Sequence, residues 1–129
     1  MRILFAAPDR DLLECYKKLL ETDLGETVTA FDGTQVITLL STESFDIALL
    51  DRNLPRVDHK TIIERANAKN VPVVVLTDGP AGLRNKADEP VPDGMLSYPF
   101  TFDSVKDAVR HTLESNIGKE RKEAVKKDE

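Results

Sequence analysis

The sequence contains one cysteine and no tryptophan, and histidine occurs at only two of its 129 positions. Cys15 has no partner for an internal disulfide, and no group of cysteines and histidines has the spacing of a metal site. Cys15 stands beside Tyr16 in a helical pattern, which favours a buried or half-buried structural thiol. His59 and His111 lie near no obvious nucleophile, so we expect both to be solvated. These absences argue against a disulfide scaffold and a zinc module.

Long apolar runs and an excess of positive charge are also absent. No apolar run approaches the length of a membrane span, and the few apolar residues after Arg2 end at Pro8, which is too short for a signal peptide. The formal net charge is −5, whereas binding to nucleic acid or to a membrane surface needs a basic field. We therefore expect a cytoplasmic domain that contacts neither nucleic acid nor membrane.

A glycine-rich phosphate loop is missing after the first predicted strand. The segment at that place, 6–9, reads Ala-Ala-Pro-Asp and has no glycine whose backbone would cradle a phosphate. This absence disfavours a small flavodoxin-like enzyme or nucleotide binder. The prediction is that the chain is not an enzyme.

What the sequence does contain is an alternation of short apolar runs with helical patterns. The predicted strands lie at 3–7, 28–31, 47–50, 73–76 and 95–97, and apolar residues recur at helical spacing over 12–20, 36–40, 62–66 and 102–113. Between 81 and 93 a short helix through Leu83 is compatible with the sequence, but Pro90 and Pro92 forbid a long one, so we expect an irregular segment. Thr101 is the predicted N-cap of the last helix.

This alternation predicts an α/β fold with a doubly wound, five-stranded parallel sheet, flavodoxin-like, in the strand order 2-1-3-4-5 and with helices on both faces. Residues 1–115 form the predicted domain. Residues 116–129 are predicted to be a charged C-terminal extension or linker, since five basic and four acidic side chains follow from Gly118 onward.

In such a sheet the functional crevice lies beyond the carboxyl ends of the strands. That rule selects the segments 7–9, 51–53 and 77–78. Asp51 is the most informative residue among them, because it directly follows four apolar strand residues. An aspartate at this place either caps the loop or the next helix, or serves as a nucleophile that accepts a phosphoryl group. The spacing alone does not decide between these roles.

The segment 45–58 (FDIALLDRNLPRVD) closely resembles the phosphoacceptor segment of response-regulator receiver domains. It has an aromatic-Asp start, an apolar strand, the acceptor position at Asp51 and then a Leu-Pro pair. The run 72–77 resembles the fourth strand of that family, and 98–100 (YPF) resembles its Lys-Pro-Phe signature. The resemblance covers residues 1–115.

The resemblance implies a role for each matching residue. Asp51 would be the phosphorylated carboxylate, and Asn53 would present its backbone carbonyl to a Mg²⁺ ion. Thr77 would hydrogen-bond the phosphoryl oxygens. Pro99 would be a cis-proline after the fifth strand.

Several positions depart from the family pattern. The acidic pair after the first strand is Ala7-Pro8 here, and only the next residue, Asp9, is acidic. Tyr98 stands in place of the family's lysine, and Met95 in place of its aromatic switch residue. An ordinary receiver pocket carries a charge of about −2, from three carboxylates and one lysine, which Mg²⁺ offsets. Without two of the carboxylates and the lysine, Mg²⁺ binding should be weak and phosphoryl transfer slow.

These departures favour a degenerate receiver that acts as a regulatory protein-interaction module. The alternative is a phosphorylatable receiver that accepts a phosphoryl group on Asp51 from a histidine kinase. The expected partners are proteins, either a histidine kinase or an output domain, and homodimerisation is left open. No cofactor is expected, Mg²⁺ being the ion of ordinary receivers. Tyr98 either packs toward Asp51 or turns outward over the loop before Pro99, and both orientations stay open.

Overall fold

The computed structural model describes residues 1–78, 92–98 and 100–127, with the backbone alone described at Asp78 and over 116–127. Five strands alternate with four helices along these residues. In chain order they are β1 (Arg2–Ala6), α1 (Arg10–Asp23), β2 (Glu26–Ala30), α2 (Gly33–Thr42), β3 (Ile47–Asp51), α3 (His59–Ala68), β4 (Val73–Asp78), β5 (Gly94–Tyr98) and α4 (Phe102–Lys127).

The five strands form one parallel sheet in the order β2-β1-β3-β4-β5. The register places Leu4 of β1 opposite Val28 of β2 and Ala48 of β3. The inner strands are almost wholly apolar because helices cover both faces of the sheet, which leaves neither face in water. The predicted doubly wound, flavodoxin-like fold with strand order 2-1-3-4-5 is confirmed.

The side chains of the sheet divide between two apolar clusters, one on each face. Along β3, Ala48 and Leu50 belong to the cluster under α2 and α3, whereas Ile47 and Leu49 belong to the cluster under α1 and α4. The helices contribute Val36, Leu40, Ile62, Ile63 and Ala66 to the first cluster, and Leu13, Leu20, Val105 and Val109 to the second. Because successive strand residues point to opposite faces, a slip of one residue would exchange the two sets, and burial therefore fixes the register.

Polar side chains cap the helices at the edge of the sheet where the strands end. Asp9, Asp32 and Asp58 each accept hydrogen bonds from backbone N–H groups in the first turn of α1, α2 and α3. These caps satisfy N–H groups that have no partner within the helix, and their negative charge suits the positive end of the helix dipole. The hydroxyl of Thr101 accepts the N–H of Ser104 at 3.1 Å, so the predicted N-cap of the last helix is confirmed.

The loop after β3 packs closely against the start of α2. The N–H of Gly33 donates to the carbonyl of Pro55 at 2.9 Å, and a Cβ at Gly33 would lie only 2.7 Å from the Cβ of Val57. Arg56 turns the loop with a φ of 80°, and its Nε lies 3.3 Å from Oδ2 of Asp32. Close approach therefore requires glycine at position 33, and these contacts hold the loop in place.

Two side chains lie elsewhere than the sequence pattern predicted. Cys15, expected to be buried or half-buried, is exposed, because two residues carry it about 200° around the helix from the buried Leu13. Phe31, expected at the end of the second strand, lies beyond β2 and is 36% exposed. Its N–H donates to Oε1 of Gln35 at 2.8 Å, so it joins the start of α2, and the guanidinium of Arg10 lies 4.3 Å from the centre of its ring.

Two predictions about chain segments remain open. The short helix through Leu83 and most of the irregular segment 81–93 lie outside the described residues. The helix α4 runs without interruption to Lys127 and so crosses the predicted boundary between 1–115 and 116–129, which stays a prediction. Within the described ranges, no helix combines the length and the apolar character needed to cross a membrane.

Candidate functional site

Asp51 ends β3, the central strand of the sheet, and the neighbouring strand ends lie beside it. Ala6 of β1 is opposite Leu50, so Ala7 follows next to Asp51. Thr77 is the penultimate residue of β4 on the other side. Asp51 is 6% exposed, and Ala7 and Thr77 are each 1% exposed. We call the region around Ala7, Asp51, Thr77 and Tyr98 the Asp51 site.

Both oxygens of the Asp51 carboxylate accept a hydrogen bond. The backbone N–H of Asn53 donates to Oδ1 at 2.7 Å, and the hydroxyl of Tyr98 donates to Oδ2 at 2.7 Å. Hydrogen bonds of this length to a charged acceptor are strong, and a buried carboxylate needs such donors because it has lost most of its contact with water. Tyr98 thus adopts the inward of the two orientations that the sequence left open.

A row of aromatic rings supports Tyr98 from behind. Its ring stacks on Phe100 with 4.8 Å between centroids, Phe100 packs on Tyr16 at 5.4 Å, and Tyr16 stacks on Phe5 at 5.8 Å. Such pairs are worth about 0.5–1.5 kcal/mol each beyond the area they bury. We call Phe5, Tyr16, Phe100 and Tyr98 the aromatic strap. It links β1 and α1 to Tyr98 at the end of β5 and to Phe100 beyond it.

Tyr16 also makes a polar contact within the aromatic strap. Its hydroxyl donates a hydrogen bond to the backbone carbonyl of Phe100 at 3.2 Å. Partial burial raises the pKa of Tyr16 above its ordinary value, because removal from water disfavours the charged phenolate. Tyr16 therefore remains a neutral donor over the physiological pH range.

The first two residues of the segment 7–9, Ala7 and Pro8, have no carboxylate to place beside Asp51. Ala7 is buried and its N–H donates to the carbonyl of Ala30 at 3.1 Å, while Pro8 is exposed. Asp9 is exposed, and its Oδ1 accepts the N–H groups of Asp11 and Leu12 at 3.0 and 3.2 Å. The acidic residue nearest the expected pair thus serves as the N-cap of α1.

The other predicted site residues lie as follows. The hydroxyl of Thr77 makes a long contact of 3.5 Å with the carbonyl of Leu96, and Asn53, whose N–H bonds to Asp51, is an exposed residue. Met95 is part-buried on β5, opposite Val75. Pro99, predicted to be a cis-proline, lies outside the described residues.

The residues at the Asp51 site do not fit a Mg²⁺ ion. Among the side chains described, no group of three or more His, Cys, Asp and Glu is placed to hold a metal. Mg²⁺ prefers one or two carboxylates together with water and substrate oxygens. Here Ala7 and Pro8 offer no side-chain ligand, and Oδ1 and Oδ2 of Asp51 accept hydrogen bonds from Asn53 and Tyr98.

Sequence reasoning missed Tyr16 and the bond that it makes to Phe100. The helical spacing of Tyr16 with Leu12 and Leu13 predicts a core position, and 98–100 resembles the family's Lys-Pro-Phe signature. No local pattern connects two residues that are 84 positions apart in the chain. An aromatic residue on the inner face of the first helix, facing an aromatic one after the fifth strand, was the available signal.

Comparisons with known proteins find several relatives of this sequence. The transcriptional regulatory protein TctD of Salmonella typhimurium is 29% identical over 126 residues, which cover 92% of this chain and 54% of TctD. The sporulation initiation phosphotransferase F of Bacillus subtilis is 29% identical over 93 residues, which cover 68% of this chain and 73% of that protein. No protein-family model matches.

Solved structures agree with these relatives. A response regulator receiver protein from Sinorhizobium medicae has a TM-score of 0.77 and 26% sequence identity, and the match covers 90% of this chain and 96% of that one. This chain spans only about half the length of TctD. The strand order, the sequence relatives and the Sinorhizobium medicae structure together support a response-regulator receiver domain for this chain.

Proposed function

We propose that this receiver domain is degenerate and regulates through protein contacts, with weak or no Mg²⁺-dependent phosphorylation. The observation that supports the proposal is the 2.7 Å hydrogen bond from the Tyr98 hydroxyl to Oδ2 of Asp51. In the family that this chain resembles, a lysine at the position of Tyr98 and a cation bring positive charge to the acceptor carboxylate. Here a neutral hydroxyl donates to Oδ2 of Asp51 instead.

The small charge of the Asp51 site explains why a neutral donor is sufficient to stabilise the Asp51 carboxylate. Ala7 and Pro8 remove two carboxylates, so Asp51 is left without the like charges that force an ordinary pocket to bind a cation. The N–H of Asn53 and the hydroxyl of Tyr98 then stabilise the remaining carboxylate. The Tyr98 hydroxyl cannot add positive charge, since a phenol is neutral when protonated and negative when ionised.

The same substitutions remove the positive charge that phosphoryl transfer needs. The transition state spreads negative charge over the equatorial oxygens, and cations at those oxygens supply the largest part of catalysis. A phosphoryl group on Oδ2 of Asp51 would also have to displace the Tyr98 hydroxyl from its present position. We therefore propose that transfer to Asp51 is severely slowed.

The alternative is a receiver that still accepts a phosphoryl group on Asp51. It is favoured by the position of Asp51 at the end of β3, with Thr77 beside it on β4, and by a relative whose name is sporulation initiation phosphotransferase F. Under this alternative the partner is a histidine kinase. Under the first proposal the partner is an output domain or protein, or a second copy of the chain, in the cytoplasm.

A phosphodonor experiment decides between the two proposals. The wild-type domain is incubated with acetyl phosphate, with and without Mg²⁺, and the intact protein is weighed by mass spectrometry. We expect the mass of the protein to be unchanged under both conditions. A Mg²⁺-dependent gain of one phosphoryl group that Asp51→Asn abolishes would establish the phosphorylatable receiver instead.

A further inference from the structure

The residues around Tyr98 are supported from α1, on the side of the aromatic strap away from Asp51. The Tyr16 hydroxyl donates to the carbonyl of Phe100 at 3.2 Å, and the two rings pack at 5.4 Å. Phe100 in turn stacks on Tyr98 at 4.8 Å. One side chain of α1 therefore holds both the backbone and the ring against which Tyr98 rests.

We infer that Tyr16 is a positioning residue for the hydrogen bond between Tyr98 and Asp51, so that α1 and the Asp51 site share one conformational equilibrium. This inference rests on the proposed function, in which the Tyr98 hydroxyl takes the place of the family's lysine at Asp51. It identifies α1 as the element whose conformation responds to a change at Asp51.

The far end of the aromatic strap is rigid, which makes Tyr16 an effective support. Phe5 lies in β1 and is fully buried, so the ring of Tyr16 stacks on a surface that cannot shift without disturbing the core. An ion pair of 3.2 Å between Asp23 at the end of α1 and Lys106 of α4 joins the two helices that cover this face. A movement of Tyr98 away from Asp51 must therefore be accommodated by Phe100 and Tyr16.

Coupling of this kind acts equally in both directions. In the closed position of Tyr98 its hydroxyl bonds to Asp51. If Tyr16 favours this position, then loss of the acceptor at Asp51 must weaken the contacts of Tyr16 by the same free energy. The hydrogen bond to Phe100 is one ordinary neutral bond, and its loss should lower the ratio of closed to open Tyr98 by up to about fivefold.

The chain offers a direct readout, because Tyr16 and Tyr98 are its only two tyrosines. Selective ¹³C labelling of tyrosine gives one set of ring resonances for each residue, and Tyr→Phe substitutions assign them. In the Asp51→Ala variant the Tyr98 hydroxyl has no acceptor at position 51, so the Tyr98 ring resonances of that variant mark the open state. The test variant is Tyr16→Phe, which keeps the ring and removes the hydroxyl, and Cys15→Ser on the exposed side of α1 is the matched control.

We expect the Tyr98 ring resonances in Tyr16→Phe to move from the wild-type position toward that of Asp51→Ala, while Cys15→Ser leaves them unchanged. Tyr16→Leu should move them further, because it also removes the stacking on Phe100. The Tyr16 resonances should shift in Asp51→Ala. A Tyr98 signal that responds to Asp51→Ala but not to Tyr16→Phe would overturn this inference alone. A Tyr98 signal that ignores Asp51→Ala would overturn the proposed function as well.

Discussion

The variant Ala7→Asp/Pro8→Asp/Tyr98→Lys is expected to take up a phosphoryl group from acetyl phosphate in Mg²⁺ at least about a hundredfold faster than the wild-type domain. The two new carboxylates follow the end of β1, where position 7 lies next to Asp51, and should restore the ligands that Mg²⁺ prefers. The lysine removes the hydroxyl from Oδ2 and adds a positive charge where the transition state needs one. The rate of mass gain of the intact protein measures the effect.

The stability of the same variant provides its control. Ala7 is buried, so aspartates at positions 7 and 8 place like charges next to Asp51 and should destabilise the domain without a cation. Added Mg²⁺ should recover the loss, because an ion that binds only the folded state stabilises it. The partial variants Ala7→Asp/Pro8→Asp and Tyr98→Lys should each give a smaller gain in rate. A triple variant that binds Mg²⁺ and still gains no mass would show that other residues prevent phosphorylation.

Removal of the Tyr98 hydroxyl should carry a clear energetic cost. Tyr98→Phe leaves Oδ2 of the buried Asp51 carboxylate without its donor, and we expect the free energy of unfolding to fall by about 1–3 kcal/mol. The ring is kept, so its stacking on Phe100 is preserved. Urea denaturation of the two proteins measures the difference.

A double-mutant cycle separates this bond from general effects of the substitution. In an Asp51→Ala background the Tyr98 hydroxyl has lost its acceptor, so Tyr98→Phe should cost little there. The coupling energy of the cycle should then approach the cost measured in the wild-type background. If Tyr98→Phe costs the same in both backgrounds, the hydroxyl does not stabilise Asp51 and the account of the site is wrong.

The fold could be predicted from the sequence because burial dictates it residue by residue. Strands such as 47–50 are apolar at every position, which only a sheet covered on both faces accommodates, and capping residues such as Thr101 mark where a helix begins. Errors arose where one residue could serve either of two elements. Phe31 follows β2 with a strand-like side chain, yet its N–H bonds to Gln35 of α2 and the strand ends before it.

The candidate site could be located but not assembled from the sequence. The rule about strand ends selected Asp51 and Thr77 correctly as neighbours at one edge of the sheet. The orientation of Tyr98 depends instead on its contacts with Asp51 and Phe100, and the first of these spans 47 positions in the chain. No local pattern encodes such a contact. What the residue types did indicate was the loss of charge, since alanine, proline and tyrosine carry none at neutral pH.

The replacement of a cation by a neutral hydroxyl at Asp51 is tested most directly by a Mg²⁺ titration of the wild-type domain. The backbone amide resonances of Asp51 and Asn53 are followed, because the Asn53 N–H already bonds to Oδ1 of Asp51 and would respond to an ion at that carboxylate. The account predicts small shifts that continue to grow without saturation through millimolar Mg²⁺. Saturable binding at the concentrations sufficient for ordinary receivers, with release of the Tyr98 hydroxyl from Asp51, would contradict it.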